Sequence, residues 1–466
     1  MRYIKYLFAL MLVAGLTSCE KFLDVNDNPN SPTTAPLTGL LGGVTYMTGM
    51  NMYYAGNQVS YYTQYLASPN PGSPIDVYDL VDASTTWTNI YDNMTDLYDM
   101  DNMAAEVGAT HYQGVSKIMM AIHLSLLNDI WGDAPYSKAF TLDNPTPPYD
   151  NAQDLFNNAL SLLDEGVALL QNSNTTVALS NTLDLIHKGD VNAWIRTAYA
   201  IKARLLNQLS KRPEYNPTAI LQALSNAYQS STHDAQLTTF NVRNPWAQVA
   251  VNNAGLLLDG WLSKNFVDAM NGTTFGVFDP RLPLITNLTK FGDYRGTPNG
   301  GGRVGDGTSN EESVLTTTGV YSSTNSPLFI ATYFEMKFIE AEVTLPTDPA
   351  RAYDAYLEGI RAHMDKLGVP AAERDDYLNH PDVAVGAGNL TLQRIMDEKY
   401  KAMFLHPGTW TDARRFDYQY TGFQLPLGAV LPTYIRRMDY PSVEKTRNGA
   451  NVPAVSDLTS RLWWDQ

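Results

Sequence analysis

Apolar residues return every three or four positions along six stretches of this chain. Tyr112, Val115, Ile118, Met119, Ile122 and Leu126 form one such stripe, and Leu155, Phe156, Ala159, Leu163, Val167 and Leu170 a second. Trp194, Ala198, Ile201 and Leu205 continue the pattern, as do Ile220, Leu221, Leu224 and Tyr228 after Pro217. Two more follow: Tyr353, Leu357, Ile360, Met364 and Leu367, then Leu392, Ile395, Met396, Tyr400, Met403 and Phe404. A repeat near 3.6 residues marks a helix with one buried face. Successive helices of this kind predict an all-α fold of stacked helix pairs, since no pair can bury its face alone. There is no clean 34-residue signature, so the expected repeat is irregular and only tetratricopeptide-like.

Between the stripes lie two long segments without helical period. Residues 67–86 are rich in Ser, Pro and Asp, and residues 237–327 in Gly, Asn and Thr. Long loops on a rigid scaffold are where binding residues concentrate. The second segment carries Trp246, Phe275, Phe278, Phe291, Tyr294 and Tyr321.

The N-terminus follows a different rule. Arg2 and Lys5 precede a short apolar run over residues 7–16, too short for a spanning helix of roughly 20 residues. The run closes on Leu16-Thr17-Ser18-Cys19, a lipobox, and Cys19 is the only cysteine of the 466 residues. A lone thiol forms no intrachain disulfide, and lipid attachment gives Cys19 a use. Residues 1–18 are thus expected to be a lipoprotein signal peptide, residues 19–36 a flexible lipid-anchored tether, and residues 37–466 a single α-helical domain. The tether stretch Asp24 to Asn30 has oxygen side chains at alternate positions. It lacks the sixth-position glycine and twelfth-position acid of a calcium loop, so it reads as a polar linker.

Charge narrows the partners. The net charge is −16, and removing residues 1–18 takes it to −18, which repels nucleic acid phosphates. Charged residues are 17% and hydrophobic ones 44%, with 28 Tyr, 15 Phe and 8 Trp, so a large aromatic core is expected.

Catalytic signatures are missing. The glycine-rich run at 296–307 lacks the lysine and flanking helix of a phosphate loop. The seven histidines include no His-Glu-x-x-His, and there is no Gly-x-Ser-x-Gly elbow. We therefore expect no catalytic residue, metal or cofactor. A glycosidase needs only two carboxylates, and 48 acidic residues make chance pairs inevitable, so spacing alone leaves that class open.

The remaining motifs converge. They are Asn128-Asp129-Ile130-Trp131-Gly132-Asp133-Ala134-Pro135-Tyr136, Phe338-Ile339-Glu340-Ala341-Glu342, and Glu398-Lys399-Tyr400 with Phe404, Trp410, Arg414, Arg415 and Phe416. Arg436-Arg437-Met438-Asp439-Tyr440-Pro441, Glu444, Asn448 and the closing Trp463-Trp464-Asp465 complete the set. Together with the lipobox and the tether, these resemble the SusD/RagB family of Bacteroidetes outer-membrane lipoproteins, in its SusD-like subgroup. The resemblance spans essentially the mature chain. It implies a tetratricopeptide-like scaffold with loops opposite, facing the cell exterior. It implies glycan capture, or peptide capture in some members, and delivery to a SusC-like TonB-dependent transporter. Glu20 resembles the acidic signal for export to the outer face, though Lys21 and Phe22 follow it.

No ligand residue transfers by motif. Trp131, Tyr136, Arg414 and Arg415 are expected to order turns and helix ends. Sugar faces stack on aromatic rings while hydroxyls need polar partners, which selects loop aromatics beside Asn or Asp. That choice gives Tyr78 with Asp76, Trp87 with Asn89, Tyr294 with Asp293, Trp246 after Asn244, and Tyr321 as candidate ligand contacts. Trp87 has Tyr91 and Met94 at helical spacing, which equally suits a core position. The expected protein is a glycan-binding lipoprotein on the outer membrane; a peptide binder and a surface glycoside hydrolase are the alternatives.

Overall fold

The computed structural model describes residues 37–141, 143–255, 260–306 and 310–466. Cys19 and the tether lie outside the described residues. Fifteen α-helices and four short strands are present among the described residues. The first six helices are α1 (Leu37–Val59), α2 (Ser84–Val107), α3 (Thr110–Ile130), α4 (Ala152–Leu170), α5 (Val191–Gln208) and α6 (Pro217–Asn226). Each packs on the next, so α1 to α6 form a continuous stack. The stack is the irregular tetratricopeptide-like scaffold expected from the apolar stripes.

Local chemistry sets the helix starts. The side chains of Asn151, Asp190 and Asn216 accept hydrogen bonds from the backbone N–H groups of Asp154, Ala193 and Ala219. These are the bare donors that a helix start must satisfy. Pro217 sits in the first turn of α6, where its missing N–H costs nothing.

Three short helices follow in the loop-rich half: α7 (Pro245–Ala254), α8 (Lys264–Met270) and α9 (Leu282–Ile285). Then come α10 (Tyr333–Thr344), α11 (Pro349–Leu367), α12 (Ala371–Leu378), α13 (Leu392–Ala402), α14 (Gly408–Arg415) and α15 (Ser442–Arg447). Helix α10 packs along α11 and also reaches α5, α6 and α13, tying the C-terminal helices to the stack. A second hydrophobic cluster, including Phe338, Tyr356, Ile360 and Ile395, fills the space among α10, α11 and α13.

The strands work as staples. β1 (Leu66–Ala67) pairs antiparallel with β3 (Trp261–Leu262), and β2 (Ala235–Leu237) with β4 (Leu328–Ala331). The first pair holds the loop after α1 against the segment between α7 and α8, far away in sequence. No helix among the described residues is long and apolar enough to cross a membrane.

Candidate functional site

Five of the eight proposed ligand contacts lie inside the protein. Trp87 is buried in α2, with its ring 4.9 Å from Tyr91 and edge-on to Trp131 at 5.0 Å. Trp246 is buried in the first turn of α7, edge-on to Tyr53 at 4.8 Å. The buried Tyr321 hydroxyl meets His363 Nε2 at 2.8 Å, and its ring packs on Phe404 at 5.1 Å. Tyr78 is fully buried against Tyr62. Stacking on a sugar needs an open ring face, and these four rings have spent theirs on packing.

The fifth, Asp76, is a loop staple. Its carboxylate accepts from Asn299 Nδ2 at 2.6 Å, Gly300 N at 2.6 Å and Ser68 N at 3.2 Å. Burial pushes its pKa up to about 6, against the opposing pull of those three bonds. Sequence reasoning placed Asp76, Tyr78, Trp87, Trp246 and Tyr321 at the ligand; their burial corrects them to interior roles. Asn89 is half-buried on α2, where its carbonyl accepts from Asn51. Asp293 and Tyr294 remain accessible to solvent.

A hollow of about 430 Å³ opens where α8 meets residues 298–299 and 422–427. Four amides line it, Gln64, Asn265, Asn299 and Gln424, with Lys264, Asp268 and Thr274 alongside. The floor is fixed from several directions. Ser263 caps α8 and donates from Oγ to Asn299 Oδ1 at 2.5 Å, while Asn299 Nδ2 also reaches the Leu66 carbonyl at 2.9 Å. Leu427 N donates to the Asn299 carbonyl at 2.9 Å. Gly300 has a φ of +76°, and a Cβ there would collide with the Leu427 carbonyl, so the close approach of these loops requires glycine. Gln64 sits at a φ of +52° and donates from Nε2 to the Gln424 carbonyl at 2.6 Å.

A set of loop aromatics follows α8, outside the lining of this hollow. Asp268 is bonded to Lys264, and Asn271 Nδ2 donates to the Tyr294 carbonyl at 3.1 Å, linking α8 to the aromatic loop. Tyr294 and Phe278 lie 6.0 Å apart with tilted rings. Phe278 is 47% exposed and Phe291 is 55% exposed, with the Arg295 guanidinium 4.2 Å above the Phe291 ring. Amides suit a ligand rich in hydroxyls, and accessible rings one with C–H faces.

The hollow is poor in acid–base machinery. Asp268 is the one carboxylate among its lining residues, whereas glycoside hydrolysis uses a facing pair. Burial also raises Asp129 and Asp234 to about 6, but they sit elsewhere, beside Gln208 and Lys366 respectively. No group of three or more potential metal ligands occurs among the described residues.

The sequence motifs build the interior. Trp131 donates from Nε1 to the Asp439 carbonyl at 3.1 Å, and Arg414 donates to the carbonyls of Asp129 and Arg436 at 2.5 and 2.9 Å. Arg415 forms ion pairs with Glu342 and Asp412, both at 2.7 Å. The amides Gln64, Asn265 and Gln424 went unnoticed in the sequence because isolated polar residues in loops carry no pattern. Phe278 and Phe291 were visible as loop aromatics and stand one and two positions before Asp279 and Asp293, so the polar-neighbour criterion admitted them although neither was selected.

A family model described as starch-binding associating with outer membrane, the SusD-like model, matches residues 29–449. Among solved structures, a SusD/RagB family protein from Bacteroides thetaiotaomicron superposes with a TM-score of 0.76 at 20% identity, covering 93% of this chain and 99% of that one. A chitin-binding SusD homologue from Flavobacterium johnsoniae gives a TM-score of 0.77 at 20% identity, covering 91% and 98%. A SusD homologue from Bacteroides fragilis gives 0.74 at 21% identity, covering 93% and 100%. No curated protein matches the chain. At these identities the structural likeness establishes the fold.

Proposed function

The chain belongs to the SusD-like family, described as starch-binding associating with outer membrane, and on that premise we propose that it is a surface lipoprotein that captures glycans without cleaving them. Cys19 carries the lipid, residues 1–18 are removed as a signal, residues 19–36 form the tether, and residues 37–466 are one binding domain. The captured oligosaccharide passes to a SusC-like TonB-dependent transporter in the same outer membrane.

The observation that carries this reading is the amide-lined hollow, with the exposed rings of Phe278 and Phe291 and the half-buried Tyr294 on the loop that follows α8. Asn and Gln side chains each donate and accept, so they match the hydroxyl pairs on a sugar ring. The loop rings take its C–H face. The similarity to a chitin-binding SusD homologue adds weight to a glycan over a peptide.

The test is retention of the protein in native gels cast with starch or soluble chitin derivatives, with titration calorimetry against short oligosaccharides and a peptide digest. Retardation by one polysaccharide, abolished in Phe278→Ala/Phe291→Ala, is expected, with oligosaccharide unchanged after overnight incubation. Binding of peptides alone would replace glycan by peptide as the cargo. Steady release of shorter sugars would make the protein a hydrolase.

A further inference from the structure

The segments that line the loop hollow are tied down by buried acids that meet no cation. Asp76 accepts from Asn299 Nδ2 and Gly300 N. Glu312, also buried, accepts from Thr297 Oγ1 at 3.1 Å and Val304 N at 3.0 Å, which flank residues 298–303. Its Oε2 has no hydrogen-bond partner among the described residues. Asp397 of α13 accepts from Thr421 N at 2.9 Å and Thr421 Oγ1 at 2.7 Å, where the second lining segment begins.

In the scaffold, buried acids meet cations directly. Glu398 lies 2.8 Å from Arg281 and 2.6 Å from Lys401, Glu342 lies 2.7 Å from Arg415, and Glu335 lies 2.5 Å from Arg204. Behind the hollow the bonded partners are amides, hydroxyls and backbone N–H groups instead. Two cations act on these acids from a distance, but each is already paired. Arg295, whose field reaches Glu312, is forked onto Asp293, and Lys401, whose charge reaches Asp397, sits on Glu398. Burial outweighs the hydrogen bonds on Asp76 and Asp397 and raises both above the ordinary carboxylate value, the mark of a charge left uncompensated.

Within the lining, Lys264 is bound to Asp268, so the hollow's own charges cancel. The three acids behind it then set the sign of its field, which a concave low-dielectric site concentrates. Asn299 adds a directional preference. Both hydrogens of its Nδ2 are taken, by the Leu66 carbonyl and Asp76 Oδ1, so its side chain has only acceptor capacity left. A sugar hydroxyl brings a donor to that acceptor, whereas a carboxylate or sulfate brings none. We propose that the hollow selects its ligand by charge, and that Asp76, Glu312 and Asp397 make it take uncharged sugar units and turn away uronate and sulfated ones. This inference rests on the glycan reading and adds the class of sugar.

Matched polymers separate charge from bulk: hydroxyethyl against carboxymethyl starch, and hydroxyethyl against carboxymethyl chitin. Affinity for the immobilised protein is measured at pH 8, where Asp76 is ionised, in low salt and in 0.5 M NaCl. The hydroxyethyl form of the recognised backbone should bind, and its carboxymethyl form at least about tenfold more weakly at both salt concentrations, because buried charges are screened little. Asp397→Asn removes one charge while keeping an oxygen for Thr421, and should narrow that ratio by about threefold. Equal or tighter binding of the carboxymethyl form overturns the inference and leaves the glycan reading standing. So does a preference that vanishes in 0.5 M NaCl, since it would belong to exposed surface charge. A ratio unchanged in folded Asp397→Asn and Asp76→Asn removes the role given to the buried acids. Failure of every polymer to bind overturns both the inference and the glycan reading.

Discussion

Replacing Glu342 by glutamine tests whether the ion pairs inside the scaffold hold it together. Glu342 lies in α10 with its side chain 4% exposed. Its carboxylate receives Arg415 at 2.7 and 2.8 Å, Lys399 at 3.1 Å and Asn207 at 3.2 Å. Burial alone would raise its pKa, but Arg415 and then Lys399 outweigh burial and hold it at about 2. In Glu342→Gln, both cations are left with Asp412 as their shared anion, at 2.7 Å from Arg415 and 2.9 Å from Lys399. Breaking a buried pair from one side costs about 3–5 kcal/mol. Because the folded pKa is depressed, this stabilisation is complete above pH 4.5 and is lost as pH falls through about 2. Urea unfolding of both proteins, followed by circular dichroism from pH 7 downward, measures the gap. It should be about 3–5 kcal/mol at pH 7 and should narrow below pH 4.5. A gap below about 1 kcal/mol at pH 7, the size of an exposed pair, would refute the reasoning. So would a gap that stays constant into acid.

Four further outcomes are expected, three from the geometry and one from the sequence. Trp87→Ala should cost about 3–5 kcal/mol in chemical denaturation, as a buried aromatic deletion does. Phe291→Ala should leave stability within about 0.5 kcal/mol while reducing retention in polysaccharide gels; equal effects of the two substitutions on stability would contradict the contrast in burial. Gly300→Ala places a Cβ on the Leu427 carbonyl at a φ of +76°, so residues 422–427 must move, and glycan affinity should fall along with the melting temperature. Cys19→Ser should move the protein from the membrane to the soluble fraction and abolish incorporation of labelled palmitate; undiminished labelling would remove the proposed anchor.

The helices with regular stripes were legible because their burial follows from local spacing. The stripes over Tyr112 to Leu126, Leu155 to Leu170 and Tyr353 to Leu367 reappear as α3, α4 and α11. Helix α1 was not legible, and glycine is the reason. Gly49 and Gly56 weaken the helical signal, yet both are needed where α1 meets its neighbours. A Cβ at Gly49 would strike the Leu237 side chain, and one at Gly56 the Leu405 carbonyl. A residue chosen for close packing across the fold reads locally as a helix breaker. The motifs were recognisable as sequence, but Glu342, Lys399 and Arg415 come together only once α10, α13 and α14 have packed.

The same physics explains why the ligand surface was the least legible part. Tyr294 and Tyr321 look alike in sequence, each an aromatic ring in a polar loop. What separates them is a tertiary partner: His363, 42 residues away, reaches the Tyr321 hydroxyl, and Phe404 covers its ring. Tyr294 meets Phe278, itself half exposed, and packs only partly on the core, and so stays half-buried. Asp76 shows a similar reversal, since an acid beside a tyrosine suggests a hydroxyl partner. Its donors arrive instead from Asn299 and Gly300, more than 220 positions away, at the other side of the β1–β3 staple. Selecting loop aromatics by their polar neighbours therefore finds both the anchors that pin a loop and the rings that the loop presents. Only long-range packing separates the two, and here it buries Tyr78, Trp246 and Tyr321 as anchors while Phe278 and Phe291 stay exposed and Tyr294 half-buried.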